Sequence, residues 1–336
     1  MANATIEEEQ LMLRLNHFPI AVWVAAGSLL MAAPAFASAN YGNLEGQGQA
    51  VVTVLPQHGS KAVPSVSPSD LTLKVDGKLS NVTHWTPLRG PAHQIELVLL
   101  IDDSARASLG TQMGDLQKFI REMPANAKVS VAYMEYGRAV LSGPLTTNHQ
   151  AVLRELHLPL LGTPGVSASP YFCLSELARH WPSRDTGARR EVVMITDGVD
   201  NYYLRYDPED PYVLASIEDS LRAHLVVYSI YWHSQGWVSS TGYETNAGQN
   251  LLEELTQATG GYSYWIGYGN PVSFEPYFTN IMERVHHQYG LSFLAPLQGK
   301  SEVESLKLQV RHPHAKFQAP GQTYVIPAGP AGTDGE

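Results

Sequence analysis

The 336-residue chain contains a single cysteine, Cys173, so no internal disulfide can form and the fold must be held by its apolar core. Cys173 lies in an apolar helical stretch (YFCLSELA) without a histidine or asparagine context to supply a base, which reads as a buried small hydrophobe and not as a nucleophile. Charge is also scarce. Only 16% of residues are charged, and the formal net charge of −10 is spread thinly with no basic run. That excludes the clustered Lys and Arg a phosphate backbone requires, and with it nucleic acid as a partner. No G-x-G-x-x-G follows the first buried strand, so a dinucleotide site is not expected. The 13 histidines form no H-E-x-x-H. His286 and His287 are adjacent, so their side chains splay apart on a helix, and His312-x-His314 lacks a third ligand and reads as a solvated strand end. No internal repeat is evident.

Long hydrophobic runs are few. The one near the N-terminus, residues 18–33 (FPIAVWVAAGSLLMAA), follows Arg14 and precedes AFASA, where Ala37-Ser38-Ala39 has the A-x-A form of a cleavage site. This predicts an export signal over residues 1–39; the alternative is an uncleaved anchor. The run falls short of the roughly 20 residues a span prefers, and Pro19 and Pro34 bracket it, which favours cleavage. Glu7, Glu8 and Glu9 stand where a signal is usually basic, consistent with a start further in, at Met12. The mature chain would then be periplasmic or secreted, without a stable transmembrane span.

What is present is a change of periodicity along the chain. Residues 50–55 (AVVTVL) and 71–75 (LTLKV), the latter followed by the turn dipeptide Asp76-Gly77, predict an N-terminal β segment over 48–86. From residue 95, strands alternate with helices, the signature of a parallel sheet covered on both faces. Buried strands are expected at 95–101, 129–136, 191–196 and 225–232, with a short one at 262–266; helices are expected at 109–120, 151–158, 170–181, 211–222, 250–259 and 274–287. Period-two runs return after Gly290 and predict a second, C-terminal β segment over 290–326. The Pro- and Gly-rich tail, 327–336, is expected to be disordered. The fold class read from this pattern is α/β, an open, mostly parallel sheet with helices on both faces, spanning residues 93–289 between two small β segments.

In such a sheet, ligands sit at the carboxyl ends of the strands. The first strand runs into Asp102-Asp103-Ser104-Ala105-Arg106, and the fourth into Thr196-Asp197-Gly198 followed by Asp200. Two oxygen-rich loops are thereby expected on one rim. This combination resembles the von Willebrand factor A-like domain and its metal-ion-dependent adhesion site. The resemblance extends over roughly residues 48–326 and takes in VLSGPLTT, LVVYSIYW, LLEELTQATGG and the flanking Asp76-Gly77-Lys78 turn and LKLQVRHPHAKFQAPGQTY, a set similar to a branch of the family frequent in exported acidobacterial proteins.

The resemblance implies Mg²⁺ held by hard oxygens with one position left for a partner's carboxylate. Asp102 matches the first Asp of the D-x-S-x-S loop, Ser104 the first Ser, and Asp197 the Asp of the later turn. Ser169 is the best match for the family's Thr, with Thr163 or Ser167 behind it. The second Ser position is Arg106, which departs from the pattern. A guanidinium has five donors and no acceptor, so it cannot ligate a cation. Either Arg106 points to solvent while a metal binds the remaining ligands, or it occupies the site and pairs with Asp102 or Asp197. A degenerate adhesion site is therefore expected.

An aspartyl-phosphate phosphatase would need D-x-D-x-T, and Ser104 and Arg106 replace its second Asp and its Thr. Around the rim, Tyr202, Tyr203 and Arg205 follow Asp197, and Trp232 and Trp237 extend the next strand, the aromatic and adaptable polar mixture that recognition surfaces use. The expectation is an exported, non-enzymatic module that binds a protein or peptide at this rim. A structural subunit of an envelope assembly, pairing through its β segments, is the second expectation; a Mg²⁺-dependent phosphatase is the third.

Overall fold

A computed structural model describes residues 44–57, 65–90, 93–159, 169–203, 209–233, 242–297, 300–312 and 314–328. The expected signal, Thr163, Ser167, Arg205, Trp237 and all but the first two residues of the expected tail lie outside these residues, as does the side chain of Arg106. Three strands lead: β1 (Leu44–Pro56), β2 (Leu71–Val75) and β3 (Lys78–Pro87). The central domain follows with β4 (Ile95–Asp102), α1 (Met113–Glu122), β5 (Lys128–Glu135), β6 (Arg138–Leu141), α2 (His149–Glu155) and α3 (Pro170–Arg179). It continues with β7 (Arg189–Thr196), α4 (Pro211–Arg222), β8 (Leu225–Tyr231), α5 (Gly242–Thr259), β9 (Ser263–Tyr264) and α6 (Glu275–His286). Then come β10 (Gln288–Leu297), β11 (Glu302–Val310), β12 (Ala315–Gln318) and β13 (Gln322–Pro327).

The central sheet has the order β6-β5-β4-β7-β8-β9, and every pairing in it is parallel except that of β5 with β6. Its apolar strands alternate faces. Leu97, Leu99 and Ile101 of β4 pack in one cluster with Leu116, Phe119 and Ile281 of α1 and α6. Val98 and Leu100 pack in the other with Leu174, Ile217 and Leu255 of α3, α4 and α5. A strand with period two can bury both faces only if helices cover both, which is why β4 reads as a continuous apolar run.

The β segments before and after this domain, expected as two units, form one. Among the described residues their strands make a closed antiparallel sheet, β10-β3-β2-β11-β13-β1, in which β1 also pairs with β10 and β12 adds to β1. Val52, Leu73, Leu291, Phe293 and Val325, contributed by strands far apart in sequence, fill its interior. Closure satisfies strand edges that neither segment could cover alone. The expected boundary at residue 290 falls inside β10, and β13 runs to Pro327, where the tail was expected to begin.

Two further differences concern the central domain. The hairpin β5–β6 turns on Tyr136 (φ 49°) and Gly137 (φ 73°), a dipeptide in which tyrosine masks the usual turn signal. Helix α5 begins at Gly242, eight residues before the expected start, through a stretch whose Gly and polar residues read as loop.

Candidate functional site

β4 and β7 are neighbours in parallel register, with Ile101 opposite Ile195, so the residues that follow each emerge at the same lip of the sheet. The two acid-ended loops are there. Asp102 caps a 3₁₀ segment, Asp103–Gln112, by accepting the Ser104 N–H at 2.8 Å on Oδ1. Its Oδ2 accepts the Thr196 hydroxyl at 2.5 Å, and Thr196 Oγ1 in turn accepts the Gly198 N–H at 3.1 Å. Asp102 and Thr196 are both buried.

Asp197 sits beside this pair. Burial pushes its carboxyl up to about 7, the neighbouring Asp102 adds in the same direction, and the Val199 N–H, donating at 3.0 Å, offsets part of the shift. Two carboxylates that share a poorly hydrated lip resist ionising together.

The turn carrying Asp197 is held from behind. Gly198 has φ +69°, and a Cβ there would lie 2.6 Å from the Gly248 carbonyl oxygen. A Cβ on Gly248 itself would lie 2.2 Å from the carbonyl oxygen of Asp197, so both residues are required to be glycine by the close approach of α5. Tyr171 of α3 completes the support, donating its hydroxyl to the Gly198 carbonyl at 2.8 Å.

The chain matches no protein-family model and no curated protein. Among solved structures it is similar to the conserved hypothetical protein BatB from Bacteroides thetaiotaomicron, with a TM-score of 0.41 and 14% identity over 57% of this chain and 97% of that one. It is similar to the mussel byssus proximal thread matrix protein 1, whose structure has a zinc-occupied MIDAS motif, with a TM-score of 0.40 and 13% identity over 58% of this chain and 48% of that one. The SpRpn10 VWA domain has a TM-score of 0.36 and 11% identity over 56% of this chain and 93% of that one. The open parallel sheet, with a D-x-S loop after its first strand and T-D-G after its fourth, is the arrangement the sequence resemblance implied.

The central domain resembles a von Willebrand factor A-like domain in its open parallel sheet and in the placing of its two acidic loops.

At this rim Asp102 accepts from Ser104 and Thr196, and Asp197 lies beside Asp102. Ser169 is buried and donates its hydroxyl to Asp200 Oδ2 at 3.1 Å, while Asp200 Oδ1 accepts the Tyr202 N–H at 2.7 Å. Burial raises the Asp200 carboxyl, and its hydrogen bonds with Tyr202, Ser169 and Tyr203 oppose that. Thr196, the first residue of the T-D-G motif, and Asp200, two residues after it, were read from the sequence as part of the oxygen-rich loop but without individual roles. Tyr202 is 46% exposed and packs edge-on against Phe172, 4.8 Å between centroids; Tyr203 is half-buried.

Trp232 is placed in the core instead of on the binding face. It is only 3% exposed, its Nε1 donates to Ser108 Oγ at 3.1 Å, and its ring meets Phe274 edge-on. Its position directly after a strand does not decide its direction; the 3₁₀ segment after β4 folds over it and covers it.

The oxygens of Asp102, Ser104, Thr196 and Asp197 suit a hard divalent cation, because positive charge is what two neighbouring, poorly hydrated carboxylates lack. Among the described residues no group of three or more His, Cys, Asp or Glu side chains converges, so any such ion would depend on hydroxyls and water for its remaining ligands.

Proposed function

We propose that this protein is an exported, non-enzymatic binding module whose von Willebrand factor A-like rim receives a carboxylate from a protein partner. The observation that carries the reading is the Asp102–Thr196–Asp197 arrangement at the ends of β4 and β7. Two acids there cannot receive a partner's acid directly, so a positive charge must stand between them. A divalent cation held by Asp102, Ser104 and Asp197 would supply that charge as a Lewis acid; alternatively the Arg106 guanidinium would form a bidentate clamp. The half-exposed Tyr202 and Tyr203 would supply contact area beside it.

Calorimetric titration of the full chain with Mg²⁺ and Mn²⁺, beside Arg106→Ser and Asp197→Ala variants, tests the proposal. Cation uptake by wild type that Asp197→Ala abolishes supports the cation route. Uptake only by Arg106→Ser supports the arginine clamp. Absence of uptake by both wild type and Arg106→Ser would sink the cation route and the assignment of Arg106 as its replacement.

A further inference from the structure

The second surface on this molecule with the marks of a ligand site is away from the rim, at the far edge of the central sheet. β9 is the last strand of that sheet and β12 the last of the barrel sheet. Between them lies a cleft of about 570 Å³, within the range of small-ligand sites. Its aromatic wall is unusual for its exposure: Tyr262 is 43% and Trp265 46% exposed, and Ile266 and Tyr268 continue the exposed apolar stretch. A folded chain ordinarily withdraws such rings from water, and a cluster of them marks a binding surface.

The wall is also rigid. The Arg284 guanidinium lies 4.3 Å from the Tyr262 ring centroid, with its Nε donating to Asn280 Oδ1 at 2.8 Å and its Nη1 to Gln318. Gln318 in turn donates its amide to the Gly261 carbonyl. Tyr264 packs between Tyr262 and Tyr277, with centroids 4.9 and 5.3 Å away, and its hydroxyl donates to Asn280 at 2.9 Å. Arg284 is thus spent on holding Tyr262 in place.

The facing wall is polar and balanced in charge. Glu253, Thr256 and Gln257 of α5 line it, with Gln257 Nε2 donating to Glu253 Oε1 at 2.8 Å, and Ser263 and Lys316 complete it. One carboxylate and one ammonium cancel, so the cleft favours no net charge on its occupant. Rings half open to water, Tyr262 among them held in place, beside planar amide and carboxylate groups match a ligand with one apolar C–H face and a rim of hydroxyls.

We propose that the cleft between β9 and β12 binds a short, uncharged oligosaccharide, a pyranose ring stacking on Trp265 or Tyr262 while its hydroxyls bond Gln257, Glu253 and Lys316. The site is separate from the rim. Gly248, which touches the Asp197 turn, is about two and a half turns of α5 away from Gln257.

Calorimetry and tryptophan fluorescence of the full chain with maltohexaose, cellohexaose, laminarihexaose and chitohexaose test this. At least one is expected to bind in the micromolar to low millimolar range and to shift tryptophan emission. Trp265→Ala should weaken that binding at least about tenfold while Trp265→Phe, which keeps a ring, restores most of it. Asp197→Ala should bind as wild type, which separates this site from the rim. Binding of none of the four, equal affinity in Trp265→Ala, or uptake of a decaproline peptide in their stead would overturn the proposal.

Discussion

The Thr196 hydroxyl donates to the Asp102 carboxylate at 2.5 Å, tying the ends of two adjacent parallel strands across the lip of the sheet. The bond connects residues 94 apart in sequence. It also settles which side of Asp102 faces inward and leaves Asp197, the next residue, at the opening.

Asp197 makes the rim sensitive to pH. Its folded carboxyl titrates at about 7 against an ordinary value of 3.8, so the folded state holds the proton more tightly. A raised carboxyl costs nothing below the ordinary value, costs progressively more between 3.8 and about 7, and the cost levels off above. Asp197→Asn should therefore gain stability relative to wild type at pH 8, by on the order of 1–3 kcal/mol, and little at pH 4. Urea unfolding at the two pH values measures this; equal differences at both would count against it.

Glu191 should behave alike, again because burial disfavours its charge. It is fully buried in β7, and burial pushes it up to about 7 while Arg189 and Gln288 pull it down. In urea unfolding, Glu191→Gln is expected to reduce the wild-type loss of stability between pH 4.5 and 7, leaving the part due to Asp197, without altering divalent-cation uptake, since the residue lies toward the opposite end of the strand from Thr196.

Gly248→Ala should destabilise the domain by about 1–3 kcal/mol, because the two nearest atoms the new methyl meets are backbone. The oxygen it meets belongs to Asp197. Thermal unfolding would show the loss, and the pH dependence attributed to Asp197 should change with it. An unchanged melting temperature would mean that α5 does not press on the turn.

The two aromatics that the sequence placed at the rim, Trp232 and Tyr202, should separate in their effects. Trp232→Ala empties a core position and is expected to cost about 3–5 kcal/mol. Tyr202→Ala, at a half-exposed ring, should cost well under that in chemical denaturation yet reduce partner binding.

Much of this molecule could be read from the order of its residues. The unbroken apolar runs of β4, β7 and β8 required cover on both faces, and Asp76-Gly77, both at positive φ, announced the turn after β2, though not the strand β3 that follows it. The D-x-S and T-D-G motifs placed Asp102, Ser104 and Asp197 at strand ends. Ser169 and Trp232 were less legible. A serine before a helix and a tryptophan after a strand are each compatible with a rim or a core, and only the packing of Asp200 against one and Ser108 against the other decided between them.

The sequence by itself determined the alternation of strand and helix, because hydrophobic period is a local property of neighbouring side chains. It also determined that two acidic loops follow buried strands. Tertiary structure alone decided that the leading and trailing β segments close into one barrel, that α5 presses Gly248 onto the Asp197 turn, and that an aromatic cleft lies between two sheet edges. Each of these depends on contacts between segments distant along the chain, whose pairing no local pattern encodes.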